Sequence, residues 1–429
     1  MSNLLEFHQA VVRGDLPEVQ RLSLLVDDID DVLGGEQDDE MKIGDEKFID
    51  YHTLTSSGTA LMKAACYGHI DIVNYLLANA ASVQEANDDD DSRAIEYAAT
   101  IGRADIVYAI LRACAATADA EEISHQKMCA FGLAIRGGKN DVIRLLLSNG
   151  IEVDQPREDG ATALILAAEF GQKETVQCLL EEYGANMEAR DAGGYTALLA
   201  AAETKSSSTL QLLVNSGADI QAVNQKGEKA IECAARRGNV DSTMILLFKH
   251  AMSAPETLAE AWRLALTSAV DGGSCDVIYE MFKNKNHLIE ETGIGKAETA
   301  KAISLATRES LGSCFVKLDM RPTEHRNAKE IAFSLLTLKA SKEEFDGMLK
   351  DIDPIFSILA GSGFGNKRDE IVQLRKKAGQ FSFEISGIFD EENLKKILYD
   401  FYEDLGVPSN SPQGSSSSAA ASAPDRGRE

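Results

Sequence analysis

The sequence predicts an all-α fold: a solenoid of helix-turn-helix units with short β-turn fingers, followed by a helical C-terminal region. Three observations carry the prediction. A frame about 33 residues long recurs from the N-terminus to near residue 285. Apolar residues make up 44% of the chain while aromatics make up 6%, a balance that favours close-packed helix pairs over sandwiches or barrels. Only 8 prolines interrupt 429 residues, which leaves long stretches free to be helical.

The elements follow in order. "LLEFHQAVVRGDLPEVQRL" (4–22) opens the frame with Ala10 and Gly14. An acidic insertion over 27–50 then delays the next loop glycine to Gly68. From there the frame repeats in "GTALMKAACYGHIDIVNYLLANA" (58–80), "RAIEYAATIGRADIVYAIL" (93–111) and "AFGLAIRGGKNDVIRLLLSNGIEVD" (130–154). It continues in "GATALILAAEFGQKETVQCLLEEYGAN" (160–186), "GYTALLAAAETKSSSTLQLLVNSGAD" (194–219) and "GEKAIECAARRGNVDSTMILL" (227–247). Marked at the first residue of each small-residue pair, the frame places Ala64, Ala98, Ala134, Ala167, Ala201 and Ala234 at spacings of 34, 36, 33, 34 and 33.

Each recurring residue type has a physical reason. Small side chains at Ala167 and Ala168 let neighbouring first helices approach closely. Gly68, Gly102, Gly138, Gly171 and Gly238 stand where a helix ends in a left-handed residue, and Lys205 replaces the glycine in one unit, where a looser turn is expected. Thr162 and Thr196 are placed to cap first helices with a hydroxyl. Val176, Leu179 and Leu180 form the apolar stripe of a second helix. Beyond 250 the frame degenerates, yet "AWRLALTSAVDGGSCDVIYEMF" (261–282) still sets Leu266, Ala269 and Gly273 in their slots.

This frame resembles the ankyrin repeat, most specifically over 58–247, and the resemblance implies an ankyrin-repeat solenoid over residues 1–285. It further implies a non-enzymatic scaffold or adaptor whose protein partner binds the concave face made by turn fingers and exposed first-helix positions. The finger candidates are Asp89, Asp91, Arg157, Glu158, Arg190, Tyr195, Gln225 and Lys226. The helix candidates are Lys63, Tyr67, Tyr97, Glu169, Phe170, Arg236 and Arg237, with Tyr67 and Phe170 as aromatic anchors.

Residues 286–406 keep a helical pattern, as in "NAKEIAFSLLTLKA" and "DEENLKKILYDFYEDLG", broken by one short alternating stretch, "QFSFEIS" (380–386). They read as degenerate repeats, a cap or a small helical domain. The tail 407–429, rich in Ser and Ala, is expected to be disordered. Similar ankyrin proteins occur among effectors that intracellular bacteria deliver into host cells, so a sorting signal in the tail, and action in the host cytoplasm or nucleus, is an alternative expectation.

Composition and motif chemistry narrow the function. A net charge of −26 disfavours nucleic acid and anionic membrane surfaces and favours a basic or neutral protein partner. Seven scattered cysteines without CxxC spacing suit a reducing cytoplasm. No stretch approaches the roughly 20 apolar residues of a membrane span, and the N-terminus lacks the features of a classical signal peptide. A cytoplasmic monomer without cofactor or metal is expected. "EETGIGKAETAKAI" (290–303) mimics a phosphate loop, but Glu290 stands at its first glycine and Ala297 at its hydroxyl. The frame explains the stretch better: Ile303 and Ala306 take first-helix slots, and Cys314, Phe315 and Leu318 the stripe of a second helix. "GSGFGNK" (361–367) lacks the hydroxyl too. Cys314 with His325 or His287, and Cys275 with His287, are the conceivable thiol–imidazole pairs for an alternative, enzymatic role of 286–406 that would be thiol-dependent or nucleotide-dependent. "DDIDDVLGGEQDDE" (27–40) misses the EF-hand spacing at Val32 and Leu33.

Overall fold

The computed structural model describes residues 2–317 apart from 33–57, 88–91, 118–119, 254 and 293–295. Helices come in pairs: α1 (Ser2–Arg13) with α2 (Leu16–Leu22), α3 (Ala60–Tyr67) with α4 (Ile70–Ala78), and α5 (Ala94–Ile101) with α6 (Ala104–Thr117). Next come α7 (Ala120–Arg136) with α8 (Asn140–Ser148), and α9 (Ala163–Glu169) with α10 (Lys173–Glu181). The last pairs are α11 (Ala197–Glu203) with α12 (Ser207–Asn215), and α13 (Ala230–Arg236) with α14 (Val240–Ser253). First helices pack on first helices and second on second, giving two layers. The six marker alanines are fully buried between neighbouring first helices, where a larger side chain would force the backbones apart. Among the described residues no strand forms; the fingers are turns, with one isolated bridge between Val223 and Lys229.

The loop inside each pair carries a device that the periodicity alone does not disclose. The residue after the loop glycine is the N-cap of the second helix, yet His69, Lys139, Gln172 and Ser206 do not cap it with their side chains. Several instead reach back one repeat, to the carbonyls that end the preceding first helix. His69 Nε2 lies 3.0 Å from Val12 O, and Gln172 Nε2 donates to Arg136 O at 2.7 Å. Arg103 donates to Gly68 O. Asn239 Nδ2 donates to Ala202 O at 2.7 Å and Thr204 O at 2.6 Å. His69, Arg103 and Gln172 therefore stand where short capping residues would otherwise be preferred, and Asn239, itself of the capping type, is turned to the preceding repeat.

One loop and one cap depart from expectation. At Lys205 the helix end is made by Thr204 in an extended conformation (ψ 162°), whose hydroxyl donates to Ala201 O at 2.9 Å, so no left-handed residue is needed. Thr196 accepts from Leu199 N as expected, but Thr162 keeps only the extended N-cap backbone, and its buried hydroxyl has no partner.

Contacts divide the chain into two units, one through Ala261 and one from Trp262. α15 (Leu258–Gly272) follows a 3-10 turn, then come α16 (Cys275–Glu291) and α17 (Lys296–Lys317). Leu266 and Ala269 are fully buried and Gly273 has φ 72°. Residues 283–289 lie within α16, and one expectation beyond it is corrected. Ile303 and Ala306 are buried as expected, but α17 runs unbroken to Lys317, so no separate second helix carries Cys314 and Phe315. The frame's loop-glycine slot, four residues after Ala306, holds Ser310, and Gly312 falls inside the unbroken helix. Leu318, "GSGFGNK", His325, "QFSFEIS" and the 407–429 tail lie outside the described residues.

Candidate partner-binding face

The fingers are stiffened by Asx-type turns before they present anything. Asp191 Oδ1 accepts from Gly193 N at 2.8 Å and Tyr195 N at 2.7 Å. Asn224 Oδ1 accepts from Lys226 N at 2.9 Å and Glu228 N at 3.0 Å. Neighbouring fingers are then tied together: Ala192 N donates to Asp159 O and Gln225 N to Gly193 O, both at 2.9 Å. Gly160 and Gly194 permit this contact. Both have positive φ, and a Cβ on either would sit 2.8 Å from Ala192 N or 2.9 Å from Gln225 N.

On this platform the candidates of the later repeats converge. Arg190 Nη1 donates to Val223 O at 2.5 Å and to Gly194 O at 3.2 Å, and Gln225 Nε2 to Ala192 O at 2.5 Å. Tyr195 Oη donates to Glu203 Oε1 at 3.1 Å, and Arg237 Nη2 to Glu203 Oε2 at 2.8 Å. Burial, with the Glu203 charge behind it, pushes the Tyr195 phenol up to about 12. Arg236 pairs with Glu228 at 2.7 Å. Burial opposes charge on Glu228, yet Asn224 and Arg236 together hold its carboxyl below the ordinary value. These links join finger to first helix and each repeat to the next, so the side chains are held before any partner arrives.

Phe170 is 39% exposed, with the Arg136 guanidinium 4.9 Å from its ring centroid. Glu169, Arg157, Glu158 and Lys226 are exposed, and half-buried Tyr67 stacks on His69 at 6.4 Å. Two candidates are corrected: Lys63 is 2% and Tyr97 5% exposed, so neither can meet a partner as placed. The Tyr97 hydroxyl accepts from Asn87 Nδ2 at 2.8 Å inside the protein. Asp89 and Asp91 lie outside the described residues.

Sequence reasoning passed over Glu203, Glu228 and Arg136, which hold the candidates in place. The signal was in the register. Counted from the marker alanine, position +2 of one repeat meets position +3 of the next, both in Arg136 with Phe170 and in Glu203 with Arg237.

Of the thiol–imidazole candidates, Cys275 and His287 lie on one helix, α16, about 18 Å apart along its axis, while the Cys314 side chain and His325 lie outside the described residues. Burial pushes the Cys66 and Cys233 thiols up to about 12, which disfavours their thiolates. Asp30, inside the acidic run, takes Ser82 N with both carboxylate oxygens at 3.0 and 2.9 Å, as a clamp on the backbone. Among the described residues no group of three or more His, Cys, Asp or Glu could hold a metal ion, and no helix is long and apolar enough to cross a membrane.

Comparison with known proteins agrees with the repeat frame. A family model, "Ankyrin repeats (3 copies)", matches residues 7–122, 96–191 and 131–224. The chain is 31% identical over 129 residues to "Ankyrin repeat and KH domain-containing protein mask-1" of Caenorhabditis elegans, covering 30% of this chain and 5% of that protein. It is 31% identical over 178 residues to "Neurogenic locus notch homolog protein 2" of Homo sapiens, covering 41% and 6%. The chain thus spans 5% and 6% of the length of these curated relatives. Among solved structures it is similar to the ankyrin repeat domain of Bcl-3 (TM-score 0.42, 25% identity, 56% of this chain and 97% of that one). It is also similar to the human ASB11 ankyrin repeat domain (TM-score 0.45, 23% identity, 57% and 96%).

Proposed function

The chain belongs to the ankyrin-repeat family, and on that premise we propose that it is a non-enzymatic scaffold or adaptor binding a protein partner on the face shared by its fingers and first helices. Ankyrin repeats are a general protein-interaction module, because finger and exposed helix positions are not consumed by stacking. The array 1–285 supplies the binding surface, and the protein acts as a monomer in the cytoplasm. The observation that carries the reading is Phe170: a large aromatic ring left 39% exposed yet held by Arg136. Aromatic and Arg side chains fixed in this way supply most binding hot spots. The net charge of −26 supports a partner that is basic or neutral at its contact surface.

Affinity purification of the full chain with mass spectrometry identifies the partner, and titration of Phe170→Ala then tests the face. Binding is expected to weaken by about 1–3 kcal/mol with the helical signal unchanged. Undiminished binding would show that the partner uses another surface.

A further inference from the structure

One stretch of the array departs from the frame in a way that stacking does not require. The first helix α7 runs 17 residues against 7 in α9, α11 and α13, and the second helix before it, α6, runs 14, as α14 does, against 9 in α8. The overhanging turns of α6 and α7 and the loop after α8 bound a trough of about 500 Å³. Its walls are Tyr108, Leu111 and Arg112 on α6 and Ile123, Lys127 and Met128 on α7, with Ile151 at the floor.

Two observations define what fits there. The first is charge: the charged side chains that line the trough among the described residues are Arg112 and Lys127. The nearby Glu122 carboxylate is engaged by Arg93 at 3.0 Å. Lys127 Nζ is held on Asn149 O at 2.8 Å, which fixes a cation at the trough, and Arg112 is exposed beside it. The second is openness: Tyr108 is 49% exposed, and Ala115, Ala120 and Ser124 are exposed as well. A small molecule lying here would stay substantially hydrated, whereas ligand pockets typically cover roughly 70–90% of their ligand. A passing chain suits the trough better.

We infer that this trough binds an acidic, apolar peptide segment of a partner protein. One aliphatic or aromatic side chain seats against Leu111, Ile123 and Met128, and flanking carboxylates reach Arg112 and Lys127 as charge-assisted hydrogen bonds. The inference is independent of the finger face.

The test is selection of a random peptide library, displayed on phage, against the full-length protein, followed by fluorescence anisotropy with the selected peptides. Peptides combining Asp or Glu with Leu, Ile or Phe are expected. Their affinity should fall about tenfold in Arg112→Glu and in Tyr108→Ala and stay unchanged in Phe170→Ala. Both trough substitutions are at exposed positions, and an unchanged helical signal confirms that the variants fold. A selection that yields no peptides, peptides without acidic residues, or peptides indifferent to Arg112→Glu and Tyr108→Ala would overturn the inference. Displacement by decanoate with the same variant dependence would assign the trough to fatty anions and overturn the peptide reading. Because Phe170→Ala reports on the finger face alone, failure of one reading is distinguishable from failure of the other.

Discussion

Residues 160–247 and residues 258–317 solve the same burial problem in different ways. In the first stretch, helices of 7 to 14 residues stack through alanines, and every neighbour is tied by finger and loop hydrogen bonds. In the second, helices of 15, 17 and 22 residues pack around one large side chain. Trp262 is fully buried, lies edge-on to Phe282 at 5.6 Å and donates from Nε1 to Thr307 Oγ1 at 3.1 Å. Distributed contacts tolerate the loss of one loop glycine, as at Lys205, because neighbouring repeats supply the same bonds again. A single anchor has no such reserve.

That contrast breaks or holds on four measurements. Trp262→Ala carries the largest expected effect, about 3–5 kcal/mol, confined to 258–317. Hydrogen exchange should show α15–α17 losing protection while α9–α13 keep theirs; uniform loss would show that the two stretches unfold as one.

The second is pH. Burial, aided by Lys63, lowers His8 to about 3 against the bond to Asp31 O, and burial, aided by Lys229, lowers His250 to about 4. Both are neutral in the folded chain while the unfolded chain takes up protons below pH 6.5, so stability is retained above 6.5 and lost as pH falls toward 4. Each should remove about 1–2 kcal/mol between pH 7 and pH 5, and the loss should appear in the repeats that hold them. Urea titrations across this range check it; stability that is flat with pH would refute the neutral buried imidazoles.

Third, Gly194→Ala combines a φ of 75° with a clash at Gln225 N, whereas Gly217→Ala meets open space at φ 97°. Destabilisations of roughly 2 and roughly 1 kcal/mol are expected, and the difference measures the finger-to-finger approach itself. Equal values would mean that the approach is not tight. The smallest effect separates two threonines. Thr196→Val removes a capping bond and should cost about 1 kcal/mol. Thr162→Val removes an orphan hydroxyl and should be neutral or stabilising.

The array was legible because its constraints recur. Ala64 and Ala234 are buried for the same reason as Ala167, and Gly68, Gly102, Gly138, Gly171 and Gly238 all adopt the left-handed conformation that the frame requires. Lys63 and Tyr97 failed on the register itself: they stand one residue before Ala64 and Ala98, a slot that is also buried in Leu166, Ala200 and Cys233. The other failures are set by neighbours outside the period. Thr162 has the sequence of a cap and the backbone of a cap, while its hydroxyl finds no donor. α17 could be misread as a helix pair because burial at Ile303 and Ala306 satisfies a helix of any length. The candidate face was legible as a set of positions; its ordering by Glu203, Glu228 and Arg136 needed the inter-repeat register.

The side chains that reach back one repeat, His69 to Val12, Gln172 to Arg136 and Asn239 to Ala202, give the array a direction. In these loops each module carries the fastener for its predecessor, whereas in the fingers Arg190 reaches the other way, to Val223 O. Shortening from the N-terminal side leaves a fastener without a target at the new end, exposed and able to meet water. Shortening from the C-terminal side strips carbonyls of their fastener. For anyone recombining these modules, the natural seam therefore lies after the fastening residue and not at the finger, and a hybrid joined there keeps donor and acceptor as a matched pair.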